Sequence, residues 1–168
     1  FLTLDNTAET ILDGVTVYQK NFFVPRTPQT TATIGVKYES RRFWFASLSA
    51  NYADNFWYLF DATRRTAGFV EPFERGSELW RLIIDQQKAP AAVTVDFFGG
   101  KSWRIKQKYF VYLNVGVNNI LNNLNIVTSG RDAYRNAYRN DLTDVRLYSS
   151  QLNYAQGANY FISLSLRI

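Results

Sequence analysis

With 168 residues, 19 cations against 14 acids and a net charge of +5, the chain is long enough for one folded domain and short for two. It contains neither Cys nor His. That excludes a disulfide framework, thiolate chemistry, the usual zinc ligand sets and any Ser-His or Cys-His catalytic pair. Hydrophobic residues make up 46% of the chain and aromatic ones 17%, yet the mean hydropathy is only −0.24. No window approaches ~18 consecutive apolar residues, so no transmembrane helix is expected. The pI near 9.5 does not point to nucleic acid, because Arg41-Arg42, Arg64-Arg65 and Lys106/Lys108 are spread over expected turns and loops. The sequence begins at Phe1 and contains no Met, so we expect a portion of a longer protein whose signal peptide is removed or lies outside it.

Six stretches alternate between apolar and polar residues, the signature of strands with one oily and one wet face. The first runs roughly from Gly14 to Phe23. The second, 31–38, sets Ala32, Ile34, Val36 and Tyr38 against Thr31, Thr33, Gly35 and Lys37. The third, 43–52, sets Trp44, Ala46, Leu48, Ala50 and Tyr52 against Phe43, Phe45, Ser47, Ser49 and Asn51. The fourth, 93–103, alternates Val93, Val95 and Phe97 with Thr94, Asp96 and Phe98. The fifth, 109–118, sets Tyr109, Val111, Leu113, Val115 and Val117 against Phe110, Tyr112, Asn114, Gly116 and Asn118. In the sixth, 160–168, Tyr160, Ile162, Leu164, Leu166 and Ile168 share one face. Lengths of about 9–11 residues suit a tilted strand crossing a membrane.

The connections alternate too. Residues 39–42 and 104–108 form short charged turns, whereas 53–92 and 119–158 form long loops. Short periplasmic turns and long extracellular loops are the outer-membrane pattern. The expected fold is therefore all-β, an antiparallel transmembrane β-barrel segment of about six strands with two long extracellular loops. Tyr38, Trp44, Trp103 and Tyr109 fall at the short-turn end; Phe22, Phe23, Tyr52 and Tyr160 fall at the long-loop end. Rings at both ends make two interface girdles. Inside the first loop, 77–85 has helical spacing, with Ser77 as N-cap and Leu79, Leu82 and Ile83 on one face. In the second, Ala133-Tyr134-Arg135-Asn136 repeats as Ala137-Tyr138-Arg139-Asn140.

Motifs for chemistry are missing. Gly99-Gly100-Lys101-Ser102 lacks the earlier glycine of a phosphate-binding loop, since that position is Val95. The first loop's carboxylates lack calcium-loop spacing, and no two acids are placed for acid–base work. We expect no enzyme, no cofactor and no metal.

Thr27-Pro28-Gln29-Thr30, Ala50-Asn51-Tyr52, Arg64-Arg65-Thr66, Gly100-Lys101-Ser102-Trp103, Val117-Asn118-Asn119-Ile120-Leu121-Asn122 and Tyr154-Ala155-Gln156-Gly157, in this order and followed by a last strand, resemble the C-terminal barrel half of TonB-dependent outer-membrane receptors. The resemblance covers most of the chain; the final Ile168 departs from it, since such strands commonly end in an aromatic residue. It implies that residues 1–168 are part of a 22-stranded barrel in the cell outer membrane. An N-terminal plug, absent from these residues, and a TonB-type energy transducer would be its partners in importing a nutrient such as a glycan, peptide or metal chelate. Ligand-contact candidates are Asn51, Asn114, Asn118 and Arg167 on the lumen face. In the loops they are Trp57, Tyr58, Arg64, Arg65, Tyr134 and Tyr138. A second reading makes the barrel a structural or docking subunit of an outer-membrane assembly, its loops binding a surface lipoprotein or another barrel. A third is a small soluble β-sandwich or lipocalin-like binder.

Overall fold

The structure is a computed structural model that describes residues 9–12, 14–19, 21–132 and 144–168. In chain order it contains β1 (Glu9–Leu12), β2 (Val15–Tyr18), β3 (Pro28–Ser40), β4 (Trp44–Phe56), α1 (Ala67–Val70), α2 (Glu78–Ile84), β5 (Ala92–Ile105), β6 (Tyr109–Asn118), β7 (Val127–Arg131), β8 (Gln151–Tyr154) and β9 (Asn159–Arg167). The chain divides into two units. A sheet unit comprises Gln29–Asp54, Pro90–Ile126 and Tyr154–Ile168; a loop unit comprises Phe1–Pro28, Asn55–Ala89 and Val127–Asn153.

The sheet unit is a five-stranded sheet in the order β3-β4-β5-β6-β9. Its register is uninterrupted from Trp44↔Lys101 to Ala53↔Ala92, from Phe97↔Val117 to Ile105↔Tyr109, and from Phe110↔Arg167 to Asn118↔Asn159. Side chains alternate strictly across a pleated strand, so this register assigns every residue to a face. The β5–β6 hairpin turns through Lys106 and Gln107, both at positive φ (48° and 55°). Two such residues match the right-handed twist of the strands they join. Glycines make room on one face. A Cβ at Gly116 would strike the Phe161 ring, and one at Gly100 would come within 2.6 Å of Phe45.

The architecture is mostly antiparallel sheet, with no helix long and apolar enough to cross a membrane among the described residues. The sheet is open, with β3 and β9 as its edges, and it holds five of the six expected strands. The first expected strand is the exception. Among the described residues there, only Val15–Tyr18 forms a strand, and it pairs with β1 in a hairpin outside the sheet. Leu12 pairs with Val15, Gly14 takes φ +81° and Asn21, at φ +50°, breaks the extended run. Phe22 and Phe23 consequently leave the expected girdle: Phe22 meets Phe60 edge-on at 4.9 Å and Phe23 stacks on Trp57 at 4.6 Å, within the loop unit.

The described parts of the long connections contain folded elements. Ser77 caps α2 as expected, its hydroxyl accepting from Trp80 N–H at 3.1 Å. Ile83 and Ile84 are buried with Val70, Leu147 and Tyr148, and Leu79 and Leu82 pack at the margin of that cluster. The buried face of α2 thus includes Ile84 beside the expected Ile83. Every buried large hydrophobic side chain among the described residues belongs to the loop unit; the sheet has none.

Candidate functional site

The register separates two chemically distinct sheet faces. One carries Ile34, Val36, Tyr38, Trp44, Leu48, Tyr52, Trp103, Leu113, Val115, Tyr160, Ile162, Leu164 and Leu166. Tyr38 packs on Trp44 at 5.0 Å, which fixes the parity of β3. Apart from the half-buried Leu113 and Val115, these side chains are solvent-exposed: Ile34 is 74%, Ile162 69% and Leu164 71% accessible. Six of the eight aromatics expected at an interface, Tyr38, Trp44, Tyr52, Trp103, Tyr109 and Tyr160, have the parity of this face. Tyr52 and Tyr160 lie toward one end of the strands, and the other four lie toward the end with the short turns. Between Tyr52 and Trp103 the face holds a single charge, Lys101. Its ammonium group turns back to donate to the Arg42 carbonyl in the short turn at 2.6 Å. That is how a lysine keeps its head out of an apolar surface while its stem covers it.

The opposite face is wet, with an aromatic row through it. Asn51 donates to Asp96 Oδ2 at 2.7 Å and to Thr94 at 3.3 Å, and accepts from Thr33 at 3.0 Å. Asp96 also accepts the Asn119 backbone N–H at 2.8 Å. Asn118, next in the chain, donates to Asn159 at 2.9 Å. The fold therefore brings Asn51 and the Asn119 backbone to Asp96, with Asn118 bonded beside them to Asn159. Asn114 pairs with Gly100, six residues along β5 from the Thr94 that faces Asn51, or about 20 Å away. It belongs to another patch. Near it Phe45, Phe98 and Phe161 form a tilted row with centroids 5.4 and 6.0 Å apart. Arg167 shares this face at the short-turn end. Asp96 and the phenylalanine row were not among the expected contacts. Their alternation was visible in the sequence, but their neighbours are set by register across strands far apart in the chain.

Loop residues form a different constellation. Arg65 is fully buried and its guanidinium donates to the carbonyls of Ile84 (2.8 Å), Asp61 (2.9 Å) and Asp85 (3.1 Å) while pairing with Asp132 at 2.6 Å. Arg64, also buried, donates to the Leu82 carbonyl at 3.0 Å and faces the Tyr148 ring. Burial holds the Arg64 guanidinium below its ordinary pKa, opposed by the nearby Asp132. Expected as ligand contacts, these arginines are instead committed to holding the loop unit together. Tyr58 is buried against Gly130. Trp57 is half-buried under Phe23, with its indole N–H unbonded among the described residues. Tyr134 and Tyr138 lie outside the described residues. No cluster of potential metal ligands occurs among the described residues. Comparison with known protein families, characterised proteins and solved structures returns no match, so any assignment rests on the residues themselves.

Proposed function

We propose that this chain forms part of the wall of an outer-membrane transport barrel of the TonB-dependent receptor type, which admits a nutrient ligand past its polar face. The observation that carries this reading is the exposed apolar face of a sheet that has no buried core of its own. Burying one large apolar side chain stabilises by roughly 1.5–3 kcal/mol. More than ten such side chains exposed side by side would be untenable in water, and an apolar patch of that extent marks an interaction surface. Ring belts at both ends and a lysine bent toward the turn suit hydrocarbon between two interfaces. Two open edges suit a sheet continued by further strands, because unpaired backbone groups cost several kcal/mol each in lipid. The polar face, with the Asn51–Asp96 pair, Asn118 beside it and the phenylalanine row, is then the lumen side, where ligand contacts are made without covalent chemistry.

The test is site-directed spin labelling of the full-length protein in bilayers, helped by the absence of Cys from these residues. Labels at Leu113, Ile162 and Leu164 should be reached by oxygen, and labels at Asn114, Ser163 and Ser165 by a water-soluble nickel chelate. Loss of this alternation, or recovery of the full-length protein as soluble material without detergent, would overturn the membrane reading. Uptake that is unaffected by removal of the energy transducer, together with copurifying lipoproteins, would replace transport with a docking role.

A further inference from the structure

The sheet unit contains eight cations and three acids, an excess of five, while the remaining eleven cations are matched by eleven acids. The whole net charge of +5 therefore resides in the sheet unit. It is also polarised along the strands. Arg41 and Arg42 lie in one short turn, and Lys106 and Lys108 in or beside the other. Arg104 and Arg167 flank Phe110 on the wet face, one pair before the closing Ile105–Tyr109 rung, so the rim proper is the two turns. The acid at this end, Glu39, is already paired with Lys37. Asp96 lies opposite Ser49, well along the strands from the turns, and Asp54 lies beyond the Tyr52–Val93 pair at the far end. The cations border the rung that carries Trp103, and Tyr109 follows directly. Lys108 stands over the Tyr109 ring at 5.5 Å.

We propose that this rim binds the phosphate groups of anionic phospholipids in the leaflet at the short-turn end. The inference rests on the membrane reading above. Ring side chains mark the depth of an interface, and cations one residue beyond them stand at headgroup level, where attraction to anionic lipid is strong and falls off within a Debye length. Nucleic acid would require the same charges without the ring belt and the apolar face.

The experiment uses the full-length protein reconstituted in phosphatidylcholine vesicles with and without phosphatidylglycerol. Its readout is the association of spin-labelled phosphatidylglycerol relative to spin-labelled phosphatidylcholine. We expect a several-fold preference for the anionic lipid, reduced by salt. It should fall close to unity in an Arg41→Gln/Arg42→Gln/Lys106→Gln/Lys108→Gln variant that still inserts. Neutralising two loop cations with Arg81→Gln and Arg146→Gln should leave the preference intact. Equal loss in both variants would show net charge and not the rim at work, and would overturn the inference. So would insertion without any preference, or tighter binding of duplex RNA than of the lipid. Failure to insert into either vesicle would instead overturn the membrane reading.

Discussion

Arg64 and Arg65 show how residue type alone misleads at the smallest scale. Two adjacent arginines in a long connection are ordinarily solvated. Here the chain places both guanidinium groups under the end of α2, where carbonyls left without helical partners need donors. Arg65 meets the Ile84 and Asp85 carbonyls and the Asp132 carboxylate together, which only a planar fork can do. Removing one partner of a buried pair leaves the other charge stranded, at a cost of about 3–5 kcal/mol. Arg65→Met should therefore destabilise the loop unit by that order, read as lost amide-exchange protection in α2. Arg65→Lys should recover little of it, and a Lys variant that is as protected as the parent would refute the fork argument. None of this was legible from the sequence, because Asp132 lies 67 positions from Arg65 and no periodicity links them.

At the scale of elements, alternation was a sound guide where a strand is long and joined to its neighbour by a short turn. The stretches beginning at 31, 43, 93, 109 and 160 are all strands of the sheet, extended at their ends to 13 or 14 residues in β3, β4 and β5. The stretch at 14–23 failed because Asp13-Gly14 is a hairpin signal that outweighs the alternation following it. The same parity predicts opposite fates for neighbours in β9. Leu164→Arg puts a charge at mid-strand on the apolar face and should cost ~2–4 kcal/mol in denaturant titrations of the bilayer-inserted protein. Ser163→Arg points to the wet face and should be far milder. Equal effects would mean that the faces are assigned wrongly.

Over the whole molecule, the two units differ in where their apolar side chains lie. The loop unit has its own buried cluster around Ile83 and Tyr148, whereas the sheet presents its apolar side chains outward. Diluting detergent away from the full-length protein should strip amide-exchange protection from β6 and β9 before α2 loses any. Simultaneous loss would show that the sheet does not depend on an apolar medium. What the sequence by itself determined is the strand pattern, the face each side chain takes and the positions of the ring belts, since a period of two and a short turn are local properties. What only the tertiary structure decided is which residues meet: Asn51 with Asp96, Arg65 with Asp132, and the basic turns gathered beside Trp103 and Tyr109. Those contacts depend on register and on packing between segments tens of residues apart, and a linear pattern carries no distance between them.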